Sequence, residues 1–155
     1  MSAEFRFAPL GAEHLEAICR IDQASFSHPW TEAAYRQELE QNHLAHYLGC
    51  FHGEELVAFA GMWLVLDEGQ VANVAVAPDW RQKGLGRQLM EQLILRCMAL
   101  GGRSLSLEVR EGNLPARNLY DSLGFRTVGL RKGYYTQPVE DAVLMQLELP
   151  EVCPE

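Results

Sequence analysis

A basic turn between an apolar strand and a long amphipathic helix is the first place where this chain can do chemistry. Val74-Ala75-Val76 leads through Ala77-Pro78-Asp79-Trp80 into Arg81-Gln82-Lys83-Gly84-Leu85-Gly86-Arg87, and a helical pattern follows. A helix start leaves backbone N–H groups unpaired, and the helix dipole adds partial positive charge at the same point. Glycines let a phosphate or pyrophosphate approach that backbone closely. Two familiar phosphate loops do not fit. A Walker A loop requires Lys-Ser or Lys-Thr after its last glycine, whereas Gly86 precedes Arg87-Gln88. A dinucleotide fingerprint requires a third glycine where Leu89 stands and a shorter path than that from Val76 to Gly84. Glu108 does lie far enough downstream to suit a ribose-binding acid, which keeps the dinucleotide reading open. A plain surface turn before a helix is the other alternative.

Glu108 is the second candidate. It closes a segment of strict period two, Ser104 to Arg110, with Leu105, Leu107 and Val109 on one face and Ser106, Glu108 and Arg110 on the other. A partly desolvated carboxylate there could act as a general base. Paired with Arg110, it is only an exposed strand-end acid.

The elements that must position these residues are legible. Phe5-Arg6-Phe7 alternates and predicts a first strand. Leu15, Ile18, Cys19 and Ile21 predict a helix over Glu13 to Ser25. Ser27-His28-Pro29-Trp30 breaks it, and Thr31 can cap a second helix through about Gln41. Ala45 to Phe51 and Leu56 to Leu66 read as an antiparallel pair turning at His52-Gly53-Glu54, with a fourth strand from Gly69 to Ala77. Leu85 to Leu100 is the clearest helix, ended by Gly101-Gly102. After the Ser104–Arg110 strand, Asn113 can cap a short helix that closes at Gly124. Strands from Phe125 to Tyr135 and Ala142 to Leu149 complete the pattern. The order β, α, α, β, β, β, α, β, α, β, β predicts an α/β (α+β) fold, a mixed sheet of about seven strands with about four helices on both sides. At 155 residues one domain is expected, over 1–150, with 151–155 as a short tail.

Composition narrows the function classes. The formal charge is −8, which argues against a nucleic-acid binder and suits a basic peptide substrate, although many soluble proteins are acidic. No signal-peptide pattern precedes Phe7, and no window approaches the ~20 apolar residues of a membrane span, so a cytoplasmic protein without membrane attachment is expected. Cys19, Cys50, Cys97 and Cys153 form no Cys-x-x-Cys pair and read as free thiols. His43, His46 and His52 flank a strand and bring no carboxylate at ligand spacing, so no metal site is expected.

Two segments carry a family resemblance. Arg-x-x-Gly-x-Gly, spanning Arg81 to Gly86, resembles the coenzyme A loop of the GNAT acetyltransferase superfamily. Leu107-Glu108-Val109-Arg110-Glu111-Gly112-Asn113-Leu114-Pro115-Ala116-Arg117-Asn118-Leu119-Tyr120-Asp121-Ser122-Leu123-Gly124-Phe125 resembles its other signature: an acid on a strand, Asn at a helix start, then Ala, Leu-Tyr and Gly-Phe. The two occur in the family's order. Phe26-Ser27-His28-Pro29-Trp30-Thr31, Arg131-Lys132-Gly133-Tyr134-Tyr135, Glu140-Asp141-Ala142 and Met145 look like the ribosomal-protein-alanine N-acetyltransferases of that superfamily, and the likeness covers nearly the whole chain.

The resemblance implies a mostly antiparallel GNAT sheet, acetyl-CoA as co-substrate, no metal, and a protein α-amine as acceptor. The acceptor so implied is the N-terminal Ala of a small-subunit ribosomal protein, met by a monomeric enzyme. It assigns the pantetheine arm to the backbone of Val74, Ala75 and Val76, and the pyrophosphate to Gln82, Lys83, Gly84, Leu85, Gly86 and Arg87. Asn113 would touch the cofactor arm. Glu108 would be the general base and Tyr120 the general acid that protonates the leaving thiol. Trp30, Tyr134 and Tyr135 would border the acceptor N-terminus. From the residues alone, Asn113 reads equally as a helix cap, Tyr120 as a half-buried aromatic and Glu140-Asp141 as a solvated turn. The chain departs from the pattern at Gln82-Lys83, where relatives often carry a small residue, and at Gly112, where they often carry a polar one. A GNAT enzyme acting on lysine side chains or a small amine, and a non-catalytic acyl-CoA-binding module, are the rival functions.

Overall fold

The computed structural model describes residues 4–26, 28–136 and 138–150. Strands β1 (Phe5–Pro9), β2 (Ala45–His52), β3 (Glu55–Val65), β4 (Glu68–Val76), β5 (Ser104–Arg110), β6 (Arg126–Thr136) and β7 (Val139–Glu148) form one sheet in the order β1-β2-β3-β4-β5-β7-β6. All neighbours are antiparallel except β4 and β5. Helices α1 (Leu15–Ser25) and α2 (Glu32–Glu40) cover one face, and α3 (Leu85–Ala99) and α4 (Leu114–Ser122) cover the other. The fold class read from the sequence is the one observed.

Each helix forms because it has an apolar stripe to bury. On α3 that stripe is Leu85, Leu89, Met90, Leu93 and Cys97, all buried against the sheet. At about 1.5–3 kcal/mol per large side chain, this burial outweighs any helix propensity. Leu105, Leu107 and Val109 meet it from β5, as period two requires. On the opposite face Leu15, Ile18, Cys19 and Ile21 of α1 pack with Tyr35, Tyr47 and Phe59. Thr31 Oγ1 accepts a hydrogen bond from the Ala34 N–H at 3.1 Å and caps α2.

Several boundaries shift by one to three residues from the sequence pattern, and two of the shifts have a visible local cause. α1 starts at Leu15 rather than Glu13 because Ala12–His14 forms a 3-10 turn, in which His14 Nδ1 accepts from the Gly11 N–H. β7 starts at Val139 rather than Ala142, because Val139 pairs with Thr136 and Glu140 with Tyr135. Glu140 and Asp141 are therefore strand residues, not a solvated turn. Cys19, Cys50 and Cys97 are buried free thiols. Ser27 and the 151–155 tail with Cys153 lie outside the described residues. No helix among the described residues is long and apolar enough to cross a membrane.

The feature that positions the site is a parting of strands. β4 and β5 pair only through Glu68, Gly69 and Gln70 with Ser104, Leu105 and Ser106. Immediately afterwards Ala72 forms a bulge: Gly61 faces Asn73 while Met62 faces Val71. A bulge bends its strand and increases local twist. From there β4 follows β3 to Val76 while β5 follows β7 to Arg110, and a slot opens through the sheet between them.

Candidate active site

The slot widens into a cavity of about 620 Å³, within the range of small-molecule sites. Its walls come from the two parted strands (Val71 to Val74 and Leu107 to Arg110), the α1–α2 connection (Phe26, His28, Trp30), α4 and its cap (Asn113, Ala116, Tyr120), and the end of β6 (Tyr134, Tyr135). The sequence-predicted Glu108, Tyr120, Asn113, Trp30, Tyr134, Tyr135 and Val74 thus share one space.

The slot has two faces. Leu107 and Val109 point into the α3/α4 core, so Glu108 between them points toward α1 and α2. Glu108 Oε2 is buried without a hydrogen-bond partner. Such an acceptor is costly to keep dry and unpaired, and here an incoming N–H or water can satisfy it. The Arg110 pairing does not hold. The Arg110 guanidinium goes to Glu140 Oε1 at 3.2 Å and to the Pro138 carbonyl at 3.0 Å, and lies 4.2 Å from the centre of the Tyr135 ring. Tyr134 stands against Glu108. A hydrogen-bonding interaction with that carboxylate, then burial, raises the Tyr134 phenol above its ordinary pKa. Burial, followed by the Glu108 charge, pushes Tyr135 up to about 12.

Tyr120 and Asn113 belong to the other face. Tyr120 packs on the α3-side core and edge-on against Phe125. Burial raises its pKa, so the phenol keeps its proton well into the alkaline range and is available as a donor. Asn113 does cap α4: its Oδ1 accepts from the Ala116 N–H at 3.3 Å, which leaves its amide N–H groups for other partners. Gly112, just before that cap, is held from β7. The Glu140 carboxylate accepts from the Gly112 N–H at 2.6 Å, and a Cβ at Gly112 would come within 2.6 Å of that same oxygen. Glycine makes room for the cap, and the Glu140 carboxylate is spent inside the protein. Asp141 is likewise spent, accepting from the Gly133 N–H at 2.8 Å.

The basic turn lies outside the cavity, next to α4. Gly84 is the N-cap of α3 with φ +79°, and an added Cβ there would meet nothing within 4 Å. Glycine is needed at this point for conformation, not space. Gly86 is helical, and its added Cβ would meet only Leu119 Cδ2, at 4.0 Å. Neither packing nor φ calls for glycine at Gly86, but a group laid on the helix start would. Gln82 also has positive φ (+61°), a conformation that favours glycine over a residue with a side chain. Arg81 is a strut: its Nε donates to the Val76 carbonyl at 2.9 Å and its Nη2 to Ser25 Oγ at 3.1 Å. Arg87 donates to Ser122 Oγ at 2.7 Å. Lys83 is exposed and enters no ion pair among the described residues. Ala75 is buried in the α1/α2 core and Val76 packs on the α3 side, so neither side chain lines the cavity. What β4 offers beyond Gln70 on its β5 side is backbone.

Three residues central to the site carry no motif: Asp22, Tyr35 and Asn73. Trp30 N–H donates to Asp22 Oδ2 at 2.9 Å, Tyr35 hydroxyl to Asp22 Oδ1 at 2.7 Å, and Asn73 Nδ2 to the Tyr35 oxygen at 2.7 Å. One signal was available. Asp22 falls on the apolar stripe of α1, four residues after Ile18, where an acid is out of place.

Residues 15–125 match the acetyltransferase (GNAT) family. The chain belongs to the GNAT acetyltransferase family and is an enzyme of acetyl transfer. Among curated relatives, a putative [ribosomal protein bS18]-alanine N-acetyltransferase of Bacillus subtilis is 37% identical over 139 residues, covering 90% of this chain and 92% of its own. The [ribosomal protein bS18]-alanine N-acetyltransferase of Escherichia coli K12 is 38% identical over 137 residues, covering 87% of this chain and 91% of its own. A crystal structure of the Escherichia coli ribosomal-protein-S18-alanine N-acetyltransferase superposes with a TM-score of 0.89 at 34% identity, covering 98% of this chain and 97% of that one.

Proposed function

We propose that this enzyme transfers acetyl from acetyl-CoA to the α-amine of a ribosomal protein that begins with alanine, by direct attack in a ternary complex. The observation that carries the reading is the slot: it gathers a proton acceptor on one face and a proton donor on the other around a single cavity. The named substrate of relatives sharing more than a third of the sequence supports the choice of acceptor.

In this reading the pyrophosphate of acetyl-CoA rests on the backbone of Gln82 to Arg87, where Gly86 leaves the helix start open. The pantetheine arm runs along the free edge of β4 at Val74, Ala75 and Val76, with Asn113 at its side. The acceptor N-terminus enters from the α1/α2 face between Trp30, Tyr134 and Tyr135, whose rings exclude bulk water. An α-amine has a pKa near ~8, so Glu108 need remove only one readily lost proton. The free amine attacks the thioester carbonyl while a β4 backbone N–H stabilises charge on the carbonyl oxygen. The N–C bond forms, the C–S bond breaks, and Tyr120 gives its proton to the departing sulfur. The described residues hold no cluster of metal-ligating side chains, and the scheme uses no metal. Such a substrate would put the enzyme in the cytoplasm.

Mass spectrometry of short peptides beginning Ala, Ser, Gly or Met, each with an internal lysine, tests the reading. One acetyl group on the α-amine, fastest for Ala, is the expected product. Acetylation of lysine alone, or turnover only on small free amines, contradicts it.

A further inference from the structure

Asp22 is 1% exposed and Tyr35 fully buried, yet Asp22 also lines the cavity. A buried carboxylate is expensive, and an apolar side chain would serve the α1 stripe better. What a carboxylate alone supplies at this point is two acceptor oxygens for two donors, the Trp30 N–H and the Tyr35 O–H. An asparagine could satisfy only one of them and would turn an N–H toward the other. The carboxylate also sets the direction of everything beyond it. Because Asp22 only accepts, Tyr35 must donate to it, and the Tyr35 oxygen is then free to accept from the Asn73 amide. Asn73 is the residue after the Ala72 bulge, where β4 has left β5. Trp30 is gripped a second time, its ring 5.1 Å from the Tyr35 ring at 36°. The chain of bonds therefore joins the α1–α2 connection, which forms one wall of the cavity, to the strand that forms another.

We infer that Asp22 is a positioning residue for the acceptor: by holding Trp30 directly and β4 through Tyr35 and Asn73, it fixes the width of the acceptor side of the slot. The inference rests on the reading of the α1/α2 face as the acceptor side.

The test is steady-state kinetics of wild type, Asp22→Asn and Tyr35→Phe with an Ala-initiated peptide and acetyl-CoA, together with amide hydrogen exchange at Trp30. Wild type is run first. Silence on peptides overturns the acceptor reading and this role with it, before any variant is compared. Asp22→Asn is expected to raise the peptide KM by about 10-fold, the loss of one hydrogen bond to a charged group. Its kcat and its KM for acetyl-CoA should stay within about 2-fold, and Trp30 exchange should accelerate. Tyr35→Phe keeps the ring in the core and the Trp30 bond to Asp22 but loses both bonds of its hydroxyl, and should also raise the peptide KM by about 10-fold. An unchanged peptide KM in Asp22→Asn, or equal losses for both substrates, overturns the role while leaving the acetyl-transfer reading intact. Should Asp22→Asn fail to fold, Tyr35→Phe decides alone: a peptide-selective rise in KM supports the role, and its absence ends it.

Discussion

The two faces of the slot are built by different means. On the α1/α2 face, polar side chains are buried and bonded to one another across long stretches of sequence: Asp22 with Trp30 and Tyr35, and Tyr35 with Asn73. On the α3/α4 face, Tyr120 and the Asn113 cap are accompanied by backbone N–H groups at a helix start, made accessible by the αL turn at Gly84 and the open surface at Gly86. A co-substrate that is always the same can be held by backbone groups, provided the side chains there leave them open. An acceptor that must be told from other amines needs side chains locked in place. Substitutions on the two faces should therefore separate the two substrates kinetically.

The largest effect belongs to Glu108. Glu108→Gln keeps the size of the side chain and removes the proposed base, and kcat for peptide acetylation should fall by about 10³-fold with the Kd for acetyl-CoA unchanged. A loss of acetyl-CoA binding instead would mean that the faces are not separate. Tyr120→Phe comes next. It should lower kcat by about 10²-fold without changing the melting temperature, since the ring still packs on Phe125. The sign of the Tyr120 shift gives a pH prediction. Its pKa is raised above the ordinary 10.0, so the donor form persists as pH rises and is lost only above that value. The kcat profile should show no fall assignable to Tyr120 between pH 7 and 9.5; a limb in that window that disappears in Tyr120→Phe would contradict the assignment.

Gly86→Ala should move two observables in opposite directions. Alanine in a helix is favoured over glycine by about 0.5–1 kcal/mol, so thermal stability should rise. The added methyl stands where the pyrophosphate is proposed to rest, so the KM for acetyl-CoA should rise by about 10-fold while the peptide KM holds. A stabilised enzyme with unchanged kinetics would remove the phosphate from that helix start. Gln82→Gly is the smallest change. It relieves a left-handed non-glycine residue, a cost of about 1–2 kcal/mol, against glycine's own entropy of about 0.5–1 kcal/mol. Chemical denaturation should show a net gain of no more than about 1.5 kcal/mol.

The same contrast explains what the sequence disclosed. Gly84 and Gly86 answer to local backbone demands, and Glu108 sits on an alternation that β5 keeps strictly; such residues can be read from their neighbours. The helices and strands were legible for the same reason, through Thr31 as a cap and the Leu85–Cys97 stripe. The α1/α2 wall of the slot was only half legible. Trp30 follows from the Pro29 break, but Asp22, Tyr35 and Asn73 are far apart in the chain and meet only once the sheet is assembled. The Ala72 bulge, which no local pattern announces, shifts the alternation of β4 and hides Asn73. Arg81 and Arg87, basic residues in a phosphate-like turn, bond instead to Ser25 and Ser122, contacts that only the folded chain brings about. Glu140 was misplaced because its partners, Arg110 and Gly112, lie on another strand and the turn after it.

The most direct test of the two-faced slot is a crystal structure with coenzyme A joined through its sulfur and an acetyl bridge to the α-amine of an alanine-initiated peptide. The pyrophosphate should lie on the Gln82–Arg87 backbone, the pantetheine along β4 beyond the Ala72 bulge, and the peptide nitrogen beside Glu108 with its chain leaving past Trp30 and Tyr134. A peptide chain leaving over α4 instead, or a nitrogen remote from Glu108, would contradict the division of the site on which this account rests.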